Sequence, residues 1–127
     1  MSSFTTPLVV EHIDGRKWRL HREFTFHIGS QWSNKYIHVP VGFVTDFASV
    51  PKFVMPLLPW WAKYQKSAIL HDWLYKIKYL MGNHITRKQA DDVFYEAMLV
   101  EFRHHRSGEV VAWIEYWAVR LFSWMAW

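Results

Sequence analysis

Cysteine is absent from the 127 residues, which excludes disulfides and thiolate metal sites. Glycine and proline are scarce, five of each, and no Gly- or Pro-rich linker, repeat or low-complexity stretch divides the chain. No apolar run reaches the roughly 18–20 residues of a membrane span. The closest, VVAWIEYWAVRLFSWMAW, is interrupted by Glu115 and Arg120. The opening MSSFTTPLVVEHIDG lacks the basic start and apolar run of a secretion signal, so no signal peptide is expected. These absences leave a soluble or at most interfacial protein, short enough for one core, and a single domain over 1–127 is expected.

What is present is a folding composition, 51% hydrophobic and 20% charged. The net charge is +4. The basic cluster RKWRLHR at 16–22 permits contact with phosphates, but no nucleic-acid motif accompanies it, and it reads as a solvated face. Nine tryptophans are the unusual feature. Tryptophan suits large cores, protein interfaces and membrane boundaries alike.

The first half reads as strands and turns. PLVVEHI precedes the turn Asp14-Gly15, KWRLHREFTFHI has apolar residues spaced mostly by two, and KYIHVP and VGFVTDF follow. Prolines 51, 56 and 59 exclude regular structure until Trp60. The second half reads as three helices. The first runs from about Trp60 to Met81 and stops at Gly82-Asn83. Thr86 and Gln89 form a capping box for the second, to about Arg103. Ser107 opens the last. The fold class expected is α+β: a small antiparallel sheet, then a helical half with an antiparallel helix pair.

At about 100° per residue the first helix has two faces. Ile69, Leu70, Trp73, Leu74, Ile77, Leu80 and Met81 form the expected core face. Tyr64, Ala68, His71, Asp72, Tyr75 and Tyr79 share another arc, holding a base, an acid and phenols. On the second helix Asp91 lies on the apolar stripe of Phe94, Tyr95, Met98 and Phe102, while Asp92 turns toward solvent. A buried carboxylate needs a donor, and a short connection brings Asp91 toward His71. An acid orienting a histidine is a general-base arrangement; a structural polar network uses the same residues.

Two resemblances enter on these motifs. GFVTDFASVP, ILHDWLY and RKQADDVFYEAM, in that order, resemble a small family of phage and prophage proteins of mostly unknown function. HDWLY also resembles the His-Asp-x-x-Tyr pattern of phospholipase A2 enzymes, and ADDVF the Ala-Asp-x-x-Phe segment of their cysteine-free parvoviral members. That resemblance implies two antiparallel helices carrying the site. His71 would be the base activating water, Asp72 a calcium ligand, and Asp91 with Tyr75 the groups orienting the histidine. Asp46 could add a second oxygen to the metal, although as an Asx residue it better suits a turn. No Gly-x-Gly corresponding to that family's calcium loop lies upstream of His71, and calcium prefers six to eight oxygen ligands.

His104 and His105, beside Arg103 and Arg106, read as a solvated basic corner, and the histidines of the strand half lack ligand spacing. The stripe Val110, Trp113, Ile114, Trp117, Leu121, Trp124 and Met125 reads as core packing, with SWMAW and PWW as an alternative interfacial lip. The function expected is a phage-encoded, phospholipase-A2-like hydrolase meeting phospholipid or a membrane surface. The alternative is a non-catalytic virion or host-interaction component contacting other phage proteins. The corresponding location is host cytoplasm or virion.

Overall fold

The computed structural model describes residues 2–15, 17–29, 34–45, 53–62 and 65–127. Asp46, most of the TDFASVP motif and Tyr64 lie outside these residues. The fold is α+β, with small antiparallel sheets in the first half and three helices in the second.

The strands are β1 (Ser3–Phe4), β2 (Val10–Asp14), β3 (Lys17–Leu20), β4 (Phe24–His27), β5 (Tyr36–Val39) and β6 (Val44–Thr45). They form two three-stranded antiparallel sheets, ordered β1-β4-β5 and β2-β3-β6. The continuous strand expected over KWRLHREFTFHI is therefore two strands belonging to different sheets. His21, Arg22 and Glu23 are all exposed, so no residue there alternates into a core. At the break the Leu20 N–H donates to Phe43 O at 2.9 Å and the Leu20 carbonyl accepts from Gly42 N at 2.8 Å, while His21 N donates to Val9 O. The chain crosses from one sheet to the other on those bonds. In the β4–β5 register Phe24 faces Val39 and Phe26 faces Ile37, and all four are buried. Two basic residues of the early cluster meet Glu11: His21 Nε2 at 2.6 Å and Arg19 at 3.6 Å.

The helices are α1 (Lys66–Ile77), α2 (Arg87–Glu101) and α3 (Gly108–Phe122). The first is shorter than expected at both ends. Trp60–Ala62 form a single 3-10 turn after Pro59. The Glu101 carboxylate fixes the true start, accepting from Lys66 N and Ser67 N at 2.8 and 2.9 Å, which satisfies donors that a helix start leaves open. At the other end Lys78 takes a left-handed cap conformation, φ 58°. The chain then turns as a hairpin, β7 (Tyr79–Leu80) with β8 (Asn83–His84). Met81 and Gly82 both have positive φ there, 51° and 82°, as a tight two-residue hairpin turn requires. Tyr79 thus leaves the helix face and its hydroxyl meets His84. The capping box of Thr86 and Gln89 is present in full.

Contacts from the start of α1 to the end of α2 (Ser67 to Glu101) and from its middle to the start of α2 (His71 to Asp91) make the pair antiparallel. Helix α3 packs on α2 with a face opposite to the one expected. Val111, Ala112, Glu115, Ala118 and Val119 are buried, whereas Val110, Trp113, Ile114, Trp117, Leu121 and Trp124 are exposed. The reason is size. Small inward residues let the helix approach closely, and at Gly108 a Cβ would stand 2.3 Å from the Phe102 carbonyl oxygen. Indole rings do not fit that gap. Among the described residues no helix is long and apolar enough to cross a membrane.

Candidate functional site

The α1–α2 pair brings His71, Tyr75 and Asp91 together in the interior. His71 is 1% exposed and Asp91 not at all. The His71 Nε2–H donates to Asp91 Oδ1 at 2.6 Å, and the Tyr75 hydroxyl donates to the same oxygen at 2.5 Å. A carboxylate only accepts, so the proton of neutral His71 sits on Nε2 and the lone pair on Nδ1. Two aromatic rings pack on the imidazole: Phe94 stacks at 4.5 Å and Tyr75 lies tilted at 4.2 Å between centroids.

The other oxygen, Asp91 Oδ2, accepts from Arg120 Nη1 at 2.9 Å and Arg87 Nη1 at 3.4 Å. Arg87 also donates to the carbonyls of Val119 and Arg120, at the end of α3. Burial alone would raise the Asp91 carboxyl, but hydrogen bonds from His71, Tyr75 and Arg120 outweigh it and hold the group below the ordinary carboxylate range. Burial, then the bond to Asp91, pushes the Tyr75 phenol well above its ordinary value. Asp91 is therefore an anion and Tyr75 a neutral donor at neutral pH.

Among the described residues, His71 Nδ1 is buried with no hydrogen-bond partner. His71 also lines a cleft of about 420 Å³ with Tyr75, Asp72, Thr45, Lys17 and Lys76. Ser123 and Ala126, just beyond α3, complete one side, and Phe43 supplies apolar wall. Leaving a buried ring nitrogen unpaired costs about 1–3 kcal/mol, so the site suits a water or a substrate atom at Nδ1.

Asp72 lines the same cleft and is partly buried, its Oδ2 accepting from the Thr45 hydroxyl. It contributes one carboxylate, and among the described residues no cluster of three His or acidic side chains could hold a metal. Asp46, the other candidate ligand, lies outside the described residues. Lys17 and Lys76 also line the cleft, an unsuitable surround for a divalent cation. The described residues thus do not fit a calcium shell.

The model of one protein family, described as "Protein of unknown function (DUF1353)", matches residues 18–119. The chain belongs to that family. The match spans β3 to the last turns of α3 and so includes His71, Asp72, Tyr75, Asp91 and Arg87. Comparison with curated proteins finds no match, and comparison with solved structures finds none either.

Four participants escaped the sequence reading: Arg87, Arg120, Lys17 and Lys76. Arg87 stands four residues before Asp91, a spacing that pairs side chains on a helix. Arg120 interrupts an apolar run, and a cation there calls for an anion. Nothing in the sequence pointed Lys17 to the cleft. A second buried polar cluster also went unread. Gln65 Nε2 donates to Glu115 Oε1 at 2.9 Å, and Ser67 Oγ bonds both Gln65 and Glu101. Burial pushes the Glu115 carboxyl up to about 8 and raises Glu101 as well.

Proposed function

We propose that the chain is a hydrolase in which His71 is the general base for attack of water on an ester, as in the phospholipase A2 enzymes that HDWLY resembles. The observation that carries this reading is the unpartnered Nδ1 of a histidine whose other nitrogen is fixed by an anion. A purely structural histidine would have both nitrogens satisfied. Water at Nδ1 gives its proton to the ring as its oxygen bonds the ester carbonyl carbon. The carbonyl π electrons move onto oxygen, and Lys17 or Lys76 stabilises that oxyanion. Collapse breaks the C–O bond to the alcohol, which leaves with the proton returned from Nδ1. Asp91 keeps the ring oriented and stabilises its cationic form, while Tyr75 and Arg120 hold Asp91. The two lysines favour substrates with an anionic group, such as a phospholipid.

The test is product formation. A monomeric, short-chain anionic phospholipid incubated with the protein should release free fatty acid. No release under any metal or pH condition would defeat the reading.

A second reading draws on a different observation. Asp91 gathers donors from all three helices, which is what a non-catalytic component of a phage particle, or one contacting the host, would use to lock its fold. In that case filling Nδ1 would matter only to stability.

A further inference from the structure

The outer face of α3 is apolar along its whole length. Val110, Trp113, Ile114, Trp117, Leu121 and Phe122 are all exposed, and Trp124 follows at 63%. From 110 to 124 no exposed residue is charged; Glu109, in the first turn, is the exposed acid of the helix. This is not an unmade core, because the inner face of the same helix is fully packed. The patch extends sideways. Phe122 meets Phe53 edge-on at 5.1 Å, and nearby in sequence to Phe53 stand Leu57 and Trp60, 80% and 82% exposed. An exposed apolar helix face of this kind marks an interaction site.

We propose that the outer face of α3 is a docking surface for an anionic lipid bilayer, placed so that the bilayer lies at the mouth of the His71 cleft. Two arrangements support this occupant. First, Trp124 shares the short 3-10 segment Ser123–Ala126 with the two residues at its ends, which line that cleft, so the apolar face and the cleft wall share one turn of chain. Second, both ends of the face are basic. Arg103 and Arg106 precede α3, and Lys17 and Lys76 stand in the cleft at its other end. Against a second copy of the chain these ends oppose docking. Parallel helices would set Arg103 and Arg106 against their counterparts, and antiparallel helices would set them toward the partner's lysines. An anionic membrane is complementary to both ends, and its flat interface accepts a convex helix without a groove.

This docking rests on the hydrolase reading only for its purpose, not for its geometry, and binding alone can test it. Vesicles of phosphatidylserine and phosphatidylcholine in equal parts should sediment the protein and shift its tryptophan emission blue. Pure phosphatidylcholine should do so less, and high salt should weaken the effect. The double variant Trp113→Ser/Trp117→Ser should bind about tenfold more weakly or worse, with an unchanged circular-dichroism melt. His71→Gln should bind like the wild type, which separates docking from chemistry. Absence of any binding to the anionic vesicles overturns the proposal. So does binding that the double variant leaves intact, or a dimer in sedimentation equilibrium that the double variant abolishes.

Discussion

His71 and Asp91, twenty residues apart, meet across the α1–α2 interface at 2.6 Å, Nε2 to Oδ1. That contact joins a histidine that lines a cleft to an anion held by both Tyr75 and Arg120, so the helix pair and α3 share one carboxylate beside the cleft.

Asp91→Asn should therefore cost stability as well as any activity. The amide keeps the shape but loses the charge that His71, Tyr75 and Arg120 address, and one of its faces now donates. We expect a loss of about 2–4 kcal/mol in urea unfolding. The pH dependence has a definite sign. The folded-state Asp91 carboxyl lies below its ordinary value of 3.8, so its contribution is present above that pH and is lost as pH falls through the folded value. The variant should have a flatter acid limb.

Glu115 acts in the opposite sense. Burial raises it from 4.5 to about 8, so the folded chain holds this proton more tightly than the unfolded chain. Its contribution is complete below pH 4.5 and is lost as pH rises toward about 8. Glu115→Gln keeps the bond to Gln65 possible and removes the titration. Melting temperatures of wild type and variant should run parallel below pH 4.5 and diverge progressively from there toward about pH 8, the variant becoming the more stable. Curves parallel at every pH would mean that Glu115 is ionised throughout.

The orientation of α3 predicts a contrast between adjacent residues. Ala112 is fully buried and Trp113 is 57% exposed. Ala112→Leu should overpack the α2–α3 interface and cost about 1–3 kcal/mol, whereas Trp113→Ser should stay within about 0.5 kcal/mol. Chemical denaturation of both variants checks this. The reverse order would restore the arrangement that the apolar stripe suggested.

That stripe shows where sequence reasoning stops. Helical periodicity identifies an apolar face, but α3 has two faces that can be buried, and only the fit of Ala112, Ala118 and Gly108 against α2 decides between them. On α2, where Asp92 and Lys88 mark the wet side, the periodicity placed Asp91, Phe94 and Met98 inward, as they are. The choice of Asp91 over Asp92 was legible for that reason. The hairpin at 79–84 was not, because it depends on Lys78 and Met81 adopting left-handed conformations that their residue types do not announce. Long-range participants such as Lys17 become visible only once the sheets are folded against α1.

The hydrolase reading turns most directly on His71→Gln. Glutamine can still donate to Asp91, so the fold should survive with a melting temperature within a few degrees of wild type, while the base at Nδ1 is gone. Both proteins should be assayed on the same monomeric anionic phospholipid, with melts recorded on the same preparations. General-base catalysis predicts a loss of about 10²–10⁴-fold in kcat/KM at nearly unchanged stability. A variant that hydrolyses the substrate as fast as wild type, or one that loses activity only because it unfolds, would contradict the assignment of His71 as the base.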